Sequence, residues 1–120
     1  MTPLRQKGDT GEEAAVCLLE QKGWKIAARN WRCKYGELDI VAWDTDGVLV
    51  FVEVKTRSSE HFGGPEAALN FRKRTRIIRS AVTYMESTGY EWKIRFDVMA
   101  VIHKDGEIKQ VRHLEDAFFY

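Results

Sequence analysis

Two runs of the chain hold its hydrophobic pattern together. Gly36-Glu37-Leu38-Asp39-Ile40-Val41-Ala42-Trp43 and Val48-Leu49-Val50-Phe51-Val52-Glu53-Val54-Lys55 are rich in β-branched and aromatic residues. Asp44-Thr45-Asp46-Gly47 between them is a turn signal, so the pair reads as a β-hairpin. Strand periodicity puts Phe51, Glu53 and Lys55 on one face, and Val48, Val50, Val52 and Val54 on the other. A Thr45-Asp46-Gly47 loop, with Gly47 left-handed, pairs Asp44 with Val48 and sets Asp39 opposite Glu53 on the same face. A two-residue Asp46-Gly47 turn instead pairs Thr45 with Val48 and sends Asp39 to the other face. Both registers are open to this sequence. In the first, Leu38, Ile40, Ala42 and the four valines form one wholly apolar face.

The remaining elements follow from periodicity and punctuation. Residues 1–9 are polar and expected to fray. Thr10-Gly11-Glu12-Glu13 reads as a capping box, with Thr10 as N-cap and Glu13 reaching back, opening a helix that runs to Lys22 before Gly23. A strand is predicted from Trp24 to Asn30, then a basic, aromatic connection from Trp31 to Tyr35. Thr56 to Pro65 is a polar, glycine-containing loop, with His61 at its surface, and an Ala67-Ala68-Leu69 turn precedes a helix from about Asn70 to Glu86. Ser87-Thr88-Gly89 ends it. Arg95 to Ile102 is a strand, Lys104-Asp105-Gly106 a turn, and Ile108 to Arg112 a last strand. Leu114 to Tyr120 is an apolar tail that must pack on this core or on a second subunit. The order is α-β-β-β-α-β-β: an α/β fold with a central mixed sheet flanked by helices.

A hairpin strand apolar on both faces is a central one, which makes its charges the feature to explain. Burying carboxylates costs several kcal/mol each unless something compensates. At about 100° per residue Glu12 sits among Ala15, Val16 and Leu19 on the apolar side of the first helix, and so faces the interior. Asp39 and Glu53 with Glu12 carry −3 against +1 from Lys55, leaving −2. An internal ion pair with Lys55 leaves the second carboxylate unmatched. Carboxylates converging on one point suit a hard, oxygen-liking cation, Mg²⁺ or Mn²⁺. That requirement favours the first register.

Composition adds bounds. A chain of 120 residues, 44% of them apolar, fits one domain with a modest core. Its formal net charge of +1 gives no global basic field. The charge is local instead: residues 55–79 hold Lys55, Arg57, Arg72, Lys73, Arg74, Arg76 and Arg79 against Glu60 and Glu66, a balance of +5 that suits a nucleic-acid backbone. Lys73 shares a stripe with Ile77, Ala81 and Tyr84 and should point inward. Arg32, Lys34 and Tyr35 could meet a phosphate backbone and stack a base. Glu37, two residues from Asp39, lies on the same face, as a further ligand or supporting group or at a solvated strand end. Arg95 and Asp97 read as an ion pair fixing the sheet, with Arg95 touching phosphate as the alternative. Cys17 and Cys33 lack metal spacing and read as reduced thiols, expected in a cytoplasmic protein. Neither a leader's apolar segment nor a membrane-spanning run is visible.

Asp39 followed by Glu53-Val54-Lys55 resembles the D…(D/E)-x-K core of the PD-(D/E)xK nucleases, which include restriction endonucleases and archaeal Holliday junction resolvases. Gly36-Glu37-Leu38-Asp39, Phe51-Val52-Glu53-Val54-Lys55-Thr56-Arg57 and Arg95-Phe96-Asp97-Val98 together resemble the bacterial YraN family of predicted endonucleases, over almost the whole chain. Leu38 stands where the superfamily's name has proline. The resemblance implies a restriction-endonuclease-like core and Mg²⁺- or Mn²⁺-dependent cleavage of nucleic acid, DNA before RNA, with branched or junction DNA a candidate. It implies that Asp39, Glu53 and the Val54 carbonyl hold the metal, that Glu12 completes the site directly or through water, and that Lys55 orients or deprotonates the attacking water. Arg32, Lys34, Arg57, Arg72, Lys73 and Arg76 would position the backbone, with Glu37 and Lys73 supporting the site. A homodimer or a helper protein would extend so small a binding surface. The rival class is a nuclease-like fold that binds nucleic acid or protein without cutting. An Asp39/Glu53 acid–base pair for glycoside hydrolysis is a third, remote reading.

Overall fold

The computed structural model describes residues 7–58 and 70–117. The elements are α1 (Lys7–Gln21), β1 (Lys25–Cys33), β2 (Gly36–Trp43), β3 (Leu49–Arg57), α2 (Phe71–Thr88), β4 (Ile94–Lys104) and β5 (Glu107–Leu114). The five strands form one sheet in the order β1-β2-β3-β4-β5, antiparallel except for the parallel β3–β4 pair that α2 connects. This is the predicted α-β-β-β-α-β-β order and a mixed α/β sheet.

The hairpin takes the three-residue-loop register. Ile40 pairs with Val52, Ala42 with Val50, and the Asp44 N–H donates to the Val48 carbonyl at 3.0 Å. Two features of the turn select it. Asp44 Oδ1 accepts from the Asp46 and Val48 N–H groups, both at 2.9 Å, and Gly47 sits at φ +82, where a Cβ would be strained. β3 lies at the middle of the sheet and is covered on both sides. Ala15, Val16 and Leu19 of α1 pack with Ile40, Val48, Val50 and Val52 on one face. Ile77, Ala81 and Tyr84 of α2 pack with Val41, Leu49, Phe51 and Phe96 on the other. At about 25 cal/mol per Å² of buried apolar surface, these two layers are the main drive to fold.

Several expectations are corrected. α1 begins at Lys7, so Thr10 is inside the helix and is not its N-cap; Glu13 pairs with Arg29 at 3.1 Å instead of reaching back. β1 runs to Cys33, so Trp31, Arg32 and Cys33 belong to a strand, with only a short turn at Lys34-Tyr35. Leu38 clusters on the α2 face, opposite Ile40, so the wholly apolar face excludes it. The switch of face coincides with Asn30 at φ +51 and with the end of the β2–β3 ladder at Ile40↔Val52. α2 starts from Asn70, whose side chain accepts from the Lys73 N–H at 2.9 Å, and closes on Gly89 at φ +74. The stretch from Ser59 to Leu69, with His61, Gly63, Gly64, Pro65 and the Ala67-Ala68-Leu69 turn, lies outside the described residues, as do residues 1–6 and Phe118 to Tyr120. Ala117 packs against the α2-side core. Among the described residues no helix is long and apolar enough to cross a membrane.

Candidate active site at the parting of two strands

The β2–β3 ladder stops at Ile40↔Val52, while β3 stays paired with β4 as far as Arg57↔Ile102. Beyond Val52 the Asp39 side chain takes the place of strand β2: its Oδ2 accepts the Val54 N–H at 2.9 Å. The N–H and C=O of a strand residue point the same way, so the Val54 carbonyl faces this opening as well. Glu53 and Lys55, next on β3, are both buried, with Lys55 Nζ 3.4 Å from Glu53 Oε1. From α2, Lys73 reaches the same oxygen, with Nζ at 3.3 Å. The predicted inward stripe of α2 is thus what carries Lys73 to Glu53.

An open cleft of about 320 Å³ gives access to this cluster. It is lined by Gly36, Glu37, Asp39, Glu53, Lys73, Arg76, Ile77 and Ser80. Lys55 and Glu12 are not in its wall. Glu12 belongs to the helix on the other face of the sheet, at the end where β2 and β3 part. Asn30 Nδ2 donates to its Oε2 at 3.0 Å, and Arg29 lies 3.4 Å from its Oε1. Gly11 allows this close approach of helix to sheet, because a Cβ there would overlap Thr56 Oγ1.

The electrostatics are those of a crowded pair. Burial first, then the charge of Glu53, pushes the Asp39 carboxyl from 3.8 up to about 8. The Val54 N–H acts the other way, while a hydrogen bond with Glu53 and the charge of Glu12 add to the rise. Lys55 is lowered from 10.5 to about 8, by burial first and then by neighbouring Lys73, against the attraction of Glu53. Near neutrality Asp39 therefore holds a proton and Lys55 is close to losing one. The expected surplus of −2 is corrected here. Lys73 and Arg29 supply positive charge that the count from Glu12, Asp39, Glu53 and Lys55 left out, and Asp39 takes a proton. Among the described residues no three His, Cys, Asp or Glu side chains converge as a ready cage. The donors that do converge are hard oxygens: the two carboxylates of Asp39 and Glu53 and the Val54 carbonyl. The rise of the Asp39 carboxyl, driven by burial and by Glu53, marks a place where a cation would relieve repulsion. That donor set fits Mg²⁺ or Mn²⁺.

The other predicted residues divide. Arg76 and Glu37 line the cleft, and Arg32, exposed, pairs with Glu37 at 3.1 Å. Lys34 Nζ and the Arg79 guanidinium lie over the Tyr35 ring, 5.2 and 5.6 Å from its centre, so that ring already carries cations where a base was expected to stack. Arg57 donates to the Thr56 carbonyl at 2.9 Å, and Arg72 is exposed in the first turn of α2. Periodicity did not single out Arg29, Asn30 or Ser80. Ser80 had a signal, since it lies seven residues (two helical turns) beyond Lys73. Arg29 and Asn30 had only the tolerance of asparagine for a left-handed backbone. Arg95 and Asp97 form a buried bidentate pair, at 2.8 and 2.9 Å, away from the cleft. Cys17 and Cys33 are both free.

The family model and the sequence relatives agree on one family. The model of "Uncharacterised protein family UPF0102" matches residues 11–101, which include Glu12, Asp39, Glu53, Lys55 and Lys73. A UPF0102 protein of Desulforamulus reducens is 42% identical over 113 residues, covering 92% of this chain and 93% of its own. That of Nocardia farcinica is 45% identical over 112 residues (92% and 87%), and that of Syntrophomonas wolfei 44% over 115 (95% and 98%). Among solved structures, a repair endonuclease from Pyrococcus abyssi aligns over 80% of this chain with a TM-score of 0.47 and 20% identity; the chain spans 39% of its length. This chain belongs to protein family UPF0102, the YraN family that its Gly36–Asp39 and Phe51–Arg57 blocks resemble.

Proposed function

We propose that this protein is a divalent-metal-dependent endonuclease, hydrolysing phosphodiester bonds in nucleic acid, DNA before RNA. The observation that carries the reading is the Asp39–Glu53 pair, half-buried Asp39 against buried Glu53, which opens on a cleft, sets two carboxylates side by side, and has Lys55 beside it. Asp39, Glu53 and the Val54 carbonyl would hold Mg²⁺ or Mn²⁺, with Glu12 completing the site through water. The cation would supply charge to offset the phosphate and acidity to a nearby water. Lys55, lowered to about 8, can hold or release a proton near neutrality and so orient or deprotonate that water. Lys73 and Arg76 in the cleft wall would hold phosphate, and exposed Arg72 and Arg79 extend that basic face along α2. Branched or junction DNA is the candidate form, and a second copy of the chain or a helper protein would enlarge the contact surface.

One observation favours a second reading, binding without cleavage. Lys55 and Lys73 both pair with Glu53, which is how a closed structural network neutralises a buried carboxylate. Cleavage assays with Mn²⁺ or Mg²⁺ separate the two. Single-stranded and duplex DNA, flaps, four-way junctions and structured RNA would be tested beside Asp39→Ala. Cutting that needs metal and is lost in the variant establishes the nuclease. Tight, metal-independent binding with no cutting favours the second reading.

A further inference from the structure

Glu53 Oε1 is claimed twice. Lys55 Nζ lies at 3.4 Å and Lys73 Nζ at 3.3 Å, yet the two lysines differ in how they are held. The Lys55 side chain is 7% exposed and rises from the same strand as Glu53. The Lys73 side chain is 36% exposed, comes from the facing helix, and stands in the wall of the open cleft. Its main chain is anchored through the Asn70 cap, so only the flexible stem and ammonium are free to move. A divalent cation on this carboxylate would repel an ammonium held 3.3 Å away and draw off the negative charge that holds it.

We propose that Lys73 and a divalent cation compete for the Glu53 carboxylate, and that the ammonium displaced by the cation turns into the cleft to meet the phosphate. The proposal rests on the cation site inferred above and adds an order of events to it. Cation entry and phosphate capture become linked, because the same side chain is released by one and used by the other. Lys73 is thus a positioning residue for the cation. Arg76 lines the same cleft one turn further on but is not paired with Glu53, which makes it the natural control.

The test is direct Mn²⁺ binding, followed by calorimetry on the full chain with no nucleic acid present. The variants are Lys73→Met, Lys73→Arg and Arg76→Met, and thermal denaturation of each checks that it is folded. Competition predicts that Lys73→Met tightens Mn²⁺ binding by about fivefold, the upper end for one partly exposed ion pair removed. Lys73→Arg should stay near the parent value. Arg76→Met, which removes like charge without freeing Glu53, should change affinity by no more than about twofold. If the parent and Lys73→Met bind Mn²⁺ equally, or Lys73→Met binds more weakly, the competition is overturned and the cation site stands. Equal tightening by Lys73→Met and Arg76→Met would reduce the effect to net charge and would overturn it too. Binding seen only after Lys73→Met would support it most strongly. No binding by any variant would remove the cation site itself, and the competition with it.

Discussion

Asp97 on β4 and Asp39 on β2 are carboxylates set into the same sheet, and the protein treats them in opposite ways. Asp97 is fully buried and saturated. Arg95 grips both its oxygens, His113 Nε2 lies 2.8 Å from Oδ2, and the Asp116 N–H donates to Oδ1 at 3.0 Å. Arg95 also binds Asp44 at 3.1 Å and lies over Trp24, 5.4 Å from the ring, while Lys22 completes His113 at 2.7 Å. Burial alone would push the Asp97 carboxyl up, but these donors more than offset it and hold it below 3.8. Asp39 has one backbone N–H and a second carboxylate for company, and it rises to about 8. Buried charge is therefore no mark of function on its own. The mark is a carboxylate set against a second carboxylate beside an opening, because a folding protein gains nothing structural from that repulsion.

Mutation should split the two regions. The largest effect belongs to the open site: Lys55→Ala should reduce cleavage by about 10²–10⁴-fold while Mn²⁺ binding stays largely intact. Unchanged turnover in a metal-supplemented assay would remove Lys55 from the chemistry. Arg95→Ala should leave cleavage chemistry alone but cost about 3–5 kcal/mol of stability, since it strands a wholly buried Asp97. Urea denaturation measures this. A loss of under about 1 kcal/mol, the scale of an exposed ion pair, would mean the network is dispensable.

The pH dependence separates them by sign. Asp39 is raised above its unfolded value, so the native state binds the extra proton and stability is lost as pH climbs from about 4 to about 8. Asp39→Asn has no such proton to lose. In chelator, its stability advantage over the parent should grow across that window and then level off. Asp97 is depressed, so its contribution is present above 3.8 and disappears as pH falls through its lower folded value. Denaturation of parent and variant at pH 5 and pH 8 is sufficient; a constant difference between them would contradict the raised Asp39.

A smaller effect is expected where α1 meets the site. Gly11→Ala must displace Thr56 Oγ1, at about 1–3 kcal/mol for an overpacked contact. Thr56→Ala removes the obstructing atom, so the double variant should recover most of the loss in thermal denaturation. Simple additivity of the two substitutions would show that the helix has room to spare.

What could be read in advance differs between these regions for the same physical reason. The hairpin was legible from its turn residues but its register was not: the turn left two open, and only the gathering of Asp39 with Glu53 favoured the one that the Asp44 side chain and Gly47 select. Lys73 was legible because helical spacing put it on the stripe of Ile77, Ala81 and Tyr84. The partners of Glu12 were not. They depend on Asn30 adopting φ +51 and on β2 leaving β3 after Ile40, irregularities that interrupt periodicity and leave no trace in it. The charge count failed for the same reason, as Arg29 and Lys73 reach the carboxylates across long separations in sequence. The saturated Asp97 was foreseen only through its neighbour Arg95; His113 and the Asp116 N–H come from β5 and the chain beyond it.

Mn²⁺ titration at pH 7 in two buffers of different ionisation enthalpy tests the open site most directly. A cation that replaces the proton on Asp39 should bind with release of about one proton, and Asp39→Asn should lose both the binding and the release. Binding without proton release, or undiminished in Asp39→Asn, would contradict a cation site at the Asp39–Glu53 pair.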